Sequence, residues 1–177
     1  MNIRCVVTGQ TDSGKSVFVR DTEVEPITLS LLPGLEFHRL WGSDATPNLP
    51  CDGGGTVPAP YFPPAPGFRF GFFTIPPNTE KPAGALNMIA AFMELQQKLP
   101  GMAQVLELGN PGMHTTDTVD FDVIVSGECY LELDDGAEVL LKAGDCVVQN
   151  GTRHAWRNRS TENCVIAVAL IGARRTA

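Results

Sequence analysis

The stretch His114-Thr115-Thr116-Asp117-Thr118-Val119-Asp120, continued by Phe121-Asp122-Val123-Ile124-Val125-Ser126-Gly127, decides how this chain folds. From Val119 the residues alternate as a β-strand does. Asp120, Asp122 and Ile124 share the inner face, and Phe121, Val123 and Val125 share the other. Two inward carboxylates so close repel if both ionise in an apolar interior. One then keeps its proton near neutral pH, unless a metal or a hydrogen bond compensates. That arrangement suits general acid–base work. The parity is expected to change at Gly127. Beyond it Cys129, Leu131 and Leu133 form the apolar side and Glu128, Tyr130 and Glu132 the polar one, as a glycine-centred bulge would produce.

Working outward, residues 103–172 alternate short strands with turn signals at intervals of roughly 8–12 residues, the mark of a sandwich or barrel. Asp135-Gly136 suits a hairpin, and Gly144-Asp145 and Gln149-Asn150-Gly151 are further turn signals. His154, Trp156 and Asn158 share parity against Arg153, Ala155 and Arg157. Trp156 therefore either walls a pocket beside His154 or fills the core. Cys164–Ile171 is a continuous apolar run, expected to be buried on both faces.

The anchors His114, Thr116, Asp120, Gly127, His154 and Asn158, with the Gly144-Asp145 turn, resemble in spacing the two-part signature of the cupin superfamily. That signature is HxH, three or four residues, Glu, six residues, Gly, and later roughly PxGxxHxxxN. The resemblance implies an all-β fold: a double-stranded β-helix, or jelly-roll-like barrel, with an N-terminal β extension and one linking α-helix. In cupins the HxH pair, the Glu and the second-motif His hold one metal. Position by position this implies His114, Asp120 and His154 as ligands of one divalent ion, with Fe, Mn, Zn and Ni not distinguished. Thr116 stands in the second His place, Asp120 in the Glu place and Gln149 where Pro is usual. A threonine hydroxyl is a poor ligand for first-row metals, and Asp is a methylene shorter than Glu.

Function is left in two classes. One is a small-molecule enzyme with a divalent-metal or acid/base pocket inside the barrel, in which Asp120, Asp122 and His154 are catalytic and Thr116 and Trp156 line the pocket. Dioxygenase, decarboxylase, dehydratase and isomerase chemistry all occur on this fold, which cannot choose among them. The other is a non-catalytic module that binds a small ligand with a degraded metal site.

The N-terminal part carries β-like runs at Ile3–Val7, Ser16–Arg20, Leu35–Trp41 and Phe68–Ile75. Residues 46–67, with seven prolines and four glycines, read as a surface loop or lid. Residues 84–99 are the one convincing helix: Met88, Ile89, Phe92, Leu95 and Leu99 on one face, Asn87, Glu94 and Lys98 opposite, with a stop at Pro100-Gly101. The expected divisions are an extension at 1–83, the helix at 84–101, the barrel core at 102–173 and a tail at 174–177. Gly9-Gln10-Thr11-Asp12-Ser13-Gly14-Lys15-Ser16 matches the phosphate-binding loop pattern by letter. That chemistry needs a helix starting at its end, whereas Val17-Phe18-Val19-Arg20 reads as a strand, so the glycines belong to a hairpin loop. His38 has no motif around it and is expected to be structural.

Composition is globular, with 43% apolar and 19% charged residues. A net charge of −7 with no Lys/Arg cluster argues against nucleic acid as a partner. No run approaches a membrane span and no signal peptide is recognisable, so the expectation is a cytoplasmic protein with no membrane partner and mostly buried, reduced cysteines. The apolar helix and open strand edges ask to be covered, which predicts a homodimer with residues 1–75 in the interface.

Overall fold

The computed structural model describes residues 2–78 and 86–176. The strands are β1 (Ile3–Gln10), β2 (Ser16–Val24), β3 (Ile27–Leu29), β4 (Leu32–Ser43) and β5 (Phe68–Ile75). After helices α1 (Met88–Lys98) and α2 (Met102–Val105) come β6 (Thr118–Ser126), β7 (Glu128–Glu132), β8 (Glu138–Lys142), β9 (Cys146–Asn150), β10 (Ala155–Arg157) and β11 (Cys164–Gly172). They form a six-stranded sheet in the order β3-β4-β5-β11-β6-β9, a three-stranded sheet β10-β7-β8, and the separate hairpin β1-β2. The fold is all-β, with an apolar core of Ile75, Ile124, Cys129, Leu131, Leu141, Cys164 and Ile166 drawn from both larger sheets.

β5 pairs with β11 from Cys164↔Ile75 to Ile171↔Phe68. The N-terminal strands β3–β5 therefore continue the barrel's own sheet, and only β1-β2 stands outside it. That hairpin turns at Gly14, with Gln10 opposite Ser16, so the phosphate-loop letters sit in a hairpin, as their β-branched continuation implies.

Helix α1 starts at Asn87, whose side-chain oxygen accepts from Ala90 N at 3.2 Å. Residues 84 and 85 of the expected helix, and the expected boundary at 83, lie outside the described residues. The buried face is narrower than the periodicity suggested: Ala91, Leu95 and Leu99 are buried, whereas Met88 and Ile89 are 49% and 77% exposed. Leu95 and Leu99 meet Leu29, Phe37 and Met102 in a second core cluster, and that cluster reaches only the later turns of the helix. The polar face also works. Glu94 accepts from Ser30 N and Oγ and from Lys98 Nζ, and Lys98 donates to Thr28 O. These contacts clamp the short β3 to the helix.

Alternation in β6 is as expected, with Asp120, Asp122 and Ile124 buried and Phe121, Val123 and Val125 exposed. The register against β11 slips between Val165 (opposite Ser126) and Ile166 (opposite Ile124). The extra residue is thus Val125, just before Gly127, whose φ is 73°. A Cβ on Gly127 would lie 2.4 Å from Asn163 O. After the bulge Cys129 and Leu131 are buried, but the expected apolar side ends there, because Leu133 is 37% exposed at the start of the turn. That turn places Asp135 and Gly136 at φ of 58° and 71°, the left-handed region that Asp and Gly tolerate.

Two of the five cysteines, Cys129 and Cys164, are buried; Cys51 and Cys146 are exposed and Cys5 is intermediate. The expectation of mostly buried thiols is corrected on that point. Cys51 lies on the long loop, and Cys146 on the outer sheet face opposite Val123.

Candidate functional site

Inside the barrel lies a cavity of about 450 Å³. Asp120 and Asp122 enter it from β6, His154 and Trp156 from the β10 edge, and His114 from the segment leading into β6. Leu31, Leu35, Phe37, Phe62, Met102 and Leu106 supply apolar lining. The cavity is therefore amphipathic.

The two histidines are held by backbone. His114 N donates to His154 O, and His154 N to His114 O, each at 3.0 Å. A directly opposed antiparallel pair projects both side chains to the same face, and the ring centroids are 4.2 Å apart. A clamp steadies the two segments: Arg153 donates to Glu107 Oε1 and Oε2 and to Asp134 Oδ1, at 2.6 to 2.8 Å. Each imidazole Nδ1 faces a carbonyl, His114 at Gly112 O (3.0 Å) and His154 at Thr152 O (2.9 Å). A carbonyl only accepts, so both Nδ1 atoms carry hydrogen and both neutral rings keep a bare Nε2 lone pair. Burial, then the neighbouring His114, pushes His154 down to about 4, and burial lowers His114 too. Both rings are neutral at physiological pH.

The carboxylates move the other way. Burial raises Asp120 to about 6, with the Thr118 hydroxyl opposing. Burial and the charge of Asp120 raise Asp122 to about 7. Thr116 Oγ1 lies 2.8 Å from Thr118 Oγ1, so Thr116 belongs to a hydroxyl chain that ends at Asp120. Asp120 Oδ1 and Gln149 Nε2, cross-strand partners, are buried without a hydrogen-bond partner among the described residues.

A metal fits this site only in part. The two bare Nε2 atoms are suitable donors, with their Nδ1–H groups fixed as metal-bound histidines usually require. Yet among the described residues no group of three or more His, Cys, Asp or Glu side chains is placed to hold an ion. The expected ligands His114, Asp120 and His154 all line this one cavity. Asp120 is a methylene shorter than the Glu of the family signature, and Thr116, in the second His place, pairs with Thr118.

The remaining expected residues fall as follows. Trp156 lines the cavity, with its ring centroid 6.1 Å from that of His154 and 5.9 Å from that of Phe73. Thr116 is buried beside Asp120's hydroxyl chain and is not a lining residue. Arg157, expected to face away, reaches the cavity rim, and Ala155 is fully buried. Asn158 ties the structure together, donating to Ile75 O and Glu162 O and accepting from Ser160. His38 is buried in β4 with both ring nitrogens unpartnered among the described residues, and burial lowers its pKa. Sequence reasoning missed Tyr61 and Phe62, which line the cavity from the proline-rich loop. The signal available was an aromatic pair set among four prolines, at 58, 60, 63 and 64.

Residues 107–170 match the family described as "Cupin domain" and constitute a cupin domain. Phomopsin biosynthesis cluster protein C' of Diaporthe leptostromiformis is 37% identical over 89 residues, 50% of this chain and 40% of that protein. Oryzines biosynthesis cluster protein J of Aspergillus oryzae is 52% identical over 50 residues, 28% of each chain. The chain thus spans less than half the length of these curated relatives. Among solved structures, a Cupin 2 conserved barrel domain protein from Salinispora arenicola CNS-205 is 20% identical, with 87% of this chain and 92% of that chain covered and a TM-score of 0.44.

Proposed function

We propose that this cupin-domain protein is a small-molecule enzyme of a biosynthetic pathway that moves protons inside its barrel, in the manner of an isomerase or dehydratase. The observation that carries the reading is that two carboxylates and two imidazoles line one largely apolar cavity of about 450 Å³. Burial separates the roles. Asp120, the lower of the two carboxyl groups, takes a proton from a substrate carbon. Asp122, which holds its proton to about pH 7, returns one to another carbon or to a departing hydroxyl, and in the latter case water leaves. The bare Nε2 atoms of His154 and His114 accept hydrogen bonds from substrate hydroxyls. The names of the relatives from phomopsin and oryzine clusters support a biosynthetic setting.

The second reading, a non-catalytic binding module, is favoured by one observation: Thr116 in a family metal position is tied to Thr118 rather than presented to the cavity. The two readings separate in heavy water. The enzyme incorporates deuterium beside the carbonyl of a small apolar ketone, and Asp120→Asn slows this by about 10²–10⁴-fold. If ketones bind but no deuterium enters, the protein is the module.

We also propose a homodimer. The outer face of the large sheet carries two apolar rows, Phe70–Ala169–Phe121–Val148 and Phe72–Ala167–Val123–Cys146, set side by side by the strand register. The hairpin adds Phe18, 79% exposed. The free thiols fit a reducing compartment such as the cytoplasm.

A further inference from the structure

The loop between β4 and β5 is held onto the inner face of the large sheet by two arginines. Arg39 donates to the carbonyl oxygens of Pro58, Ala59 and Pro60. Arg69, 4% exposed, donates to Pro60 O and Ser43 O and pairs with Asp44. From the other side Tyr61 N donates to Pro100 O at 2.8 Å. Tyr61 is therefore fixed at both edges, with its ring 5.7 Å from Phe37 and 5.0 Å from Phe62, edge-on to each. Tyr61 lines the cavity together with Asp120 and Asp122.

The sheet register places the two sides relative to each other. Asp122, Val168, Gly71 and Arg39 form one row across β6, β11, β5 and β4. With strands about 4.8 Å apart, the Asp122 and Gly71 backbones are separated by about 10 Å. The row puts Asp122 and Arg39, which holds the loop, on the same face of the sheet, three strands apart. Chemistry then narrows its class. The lining cation, Arg157, is committed to Glu132 Oε2 and Pro111 O, each at 2.6 Å. With Asp120 and Asp122 in the lining, nothing there favours an anion. A phenol O–H needs an acceptor, which an ammonium group lacks.

We propose that Tyr61 is a substrate-binding hydrogen-bond donor, and that the substrate is an uncharged carbonyl compound with an apolar body, its oxygen at Tyr61. The proposal deepens the proton-transfer reading and rests on it for the reaction. As Asp120 removes a proton from the carbon beside the carbonyl, the C–H electron pair becomes the C=C bond. The carbonyl π pair moves to oxygen, where the Tyr61 hydroxyl stabilises it. Return of a proton to carbon restores the carbonyl, and no outside oxidant or reductant is needed.

Acetophenone, isotopically labelled at its carbonyl, is the probe. In wild-type protein its C=O infrared band is expected below its position in hexane. Tyr61→Phe is expected to shift the band back and weaken binding about ten-fold. Absence of acetophenone binding, a wild-type band at the hexane position, or a shift that survives Tyr61→Phe but disappears in Asp122→Asn overturns the proposal. If Tyr61→Phe does not fold, Asp122→Asn decides: a shifted band that persists there upholds the Tyr61 donor, and a band returned to the hexane position overturns it. Deuterium exchange into the acetophenone methyl group is followed separately. A Tyr61-dependent band without exchange upholds the donor and sinks the proton-transfer reading; exchange with no Tyr61 dependence does the reverse.

Discussion

Asp122 is buried against Val168, and its carboxyl sits near 7 because burial and Asp120 both oppose its charge. In the unfolded chain the same group titrates near 4, so between about pH 4 and 7 the native state binds the extra proton. Stability from this site is full below that window and falls as pH rises through it. Asp122→Asn is therefore expected to be more stable than wild type at pH 8, by roughly 4 kcal/mol, with the difference vanishing near pH 4. His154 runs oppositely. Its pKa is depressed to about 4, so the unfolded chain binds the proton first. The contribution of the neutral ring is full above about 6.5 and is lost as pH falls toward 4. His154→Gln is expected to flatten the acid limb alone. Urea titrations of both variants from pH 4 to 8 check the two signs, and parallel profiles would count against buried, uncompensated groups at either position.

Among the connecting elements, the proline-rich loop and the β6–β7 junction depend on single residues. Arg69→Met removes donors from Ser43, Pro60 and Phe68 carbonyls while filling the same space. We expect a loss of roughly 2–4 kcal/mol and faster proteolysis within residues 44–67, with Tyr61 and Phe62 no longer held in the cavity. Limited proteolysis with mass mapping tests this; cleavage unchanged from wild type would show that Arg69 does not hold the loop. At the junction, Gly127→Ala meets both a positive φ and the Asn163 carbonyl. The expected cost is about 2 kcal/mol or more, read as a lowered Tm. The alternation of β6 and the change of parity were legible because a period of two leaves no other way to bury Ile124, Cys129 and Leu131 together. The strapping of the loop was not, because Arg39 and Arg69 are separated by thirty residues and meet only when β4 pairs with β5.

On the scale of the whole molecule, Phe121 and Val148 stand side by side on the outer sheet face, 50% and 56% exposed. Contiguous apolar surface of this kind usually marks an interface. Light scattering at micromolar concentration is expected to give a dimer for wild type and a monomer for the double variant Phe121→Lys, Val148→Glu. A monomeric wild type rules the dimer out. A dimer that survives the double substitution moves the interface to the β1-β2 hairpin and Phe18.

What the sequence alone determined was local or periodic. The strand alternation put Asp120 and Asp122 inside, the β-branched run after Lys15 made a hairpin of a phosphate-loop pattern, and the motif spacing brought His114 and His154 to one cavity. Each rests on a repeat or a chain neighbour, which is visible without coordinates. What only the tertiary structure decided was which distant groups complete the site. Asp120 lacks a hydrogen-bond partner for Oδ1 among the described residues, Thr116 turns to Thr118, and Tyr61 arrives from a loop whose letters suggest only surface. Those outcomes depend on side-chain reach, cross-strand register and burial, none of which a linear pattern carries.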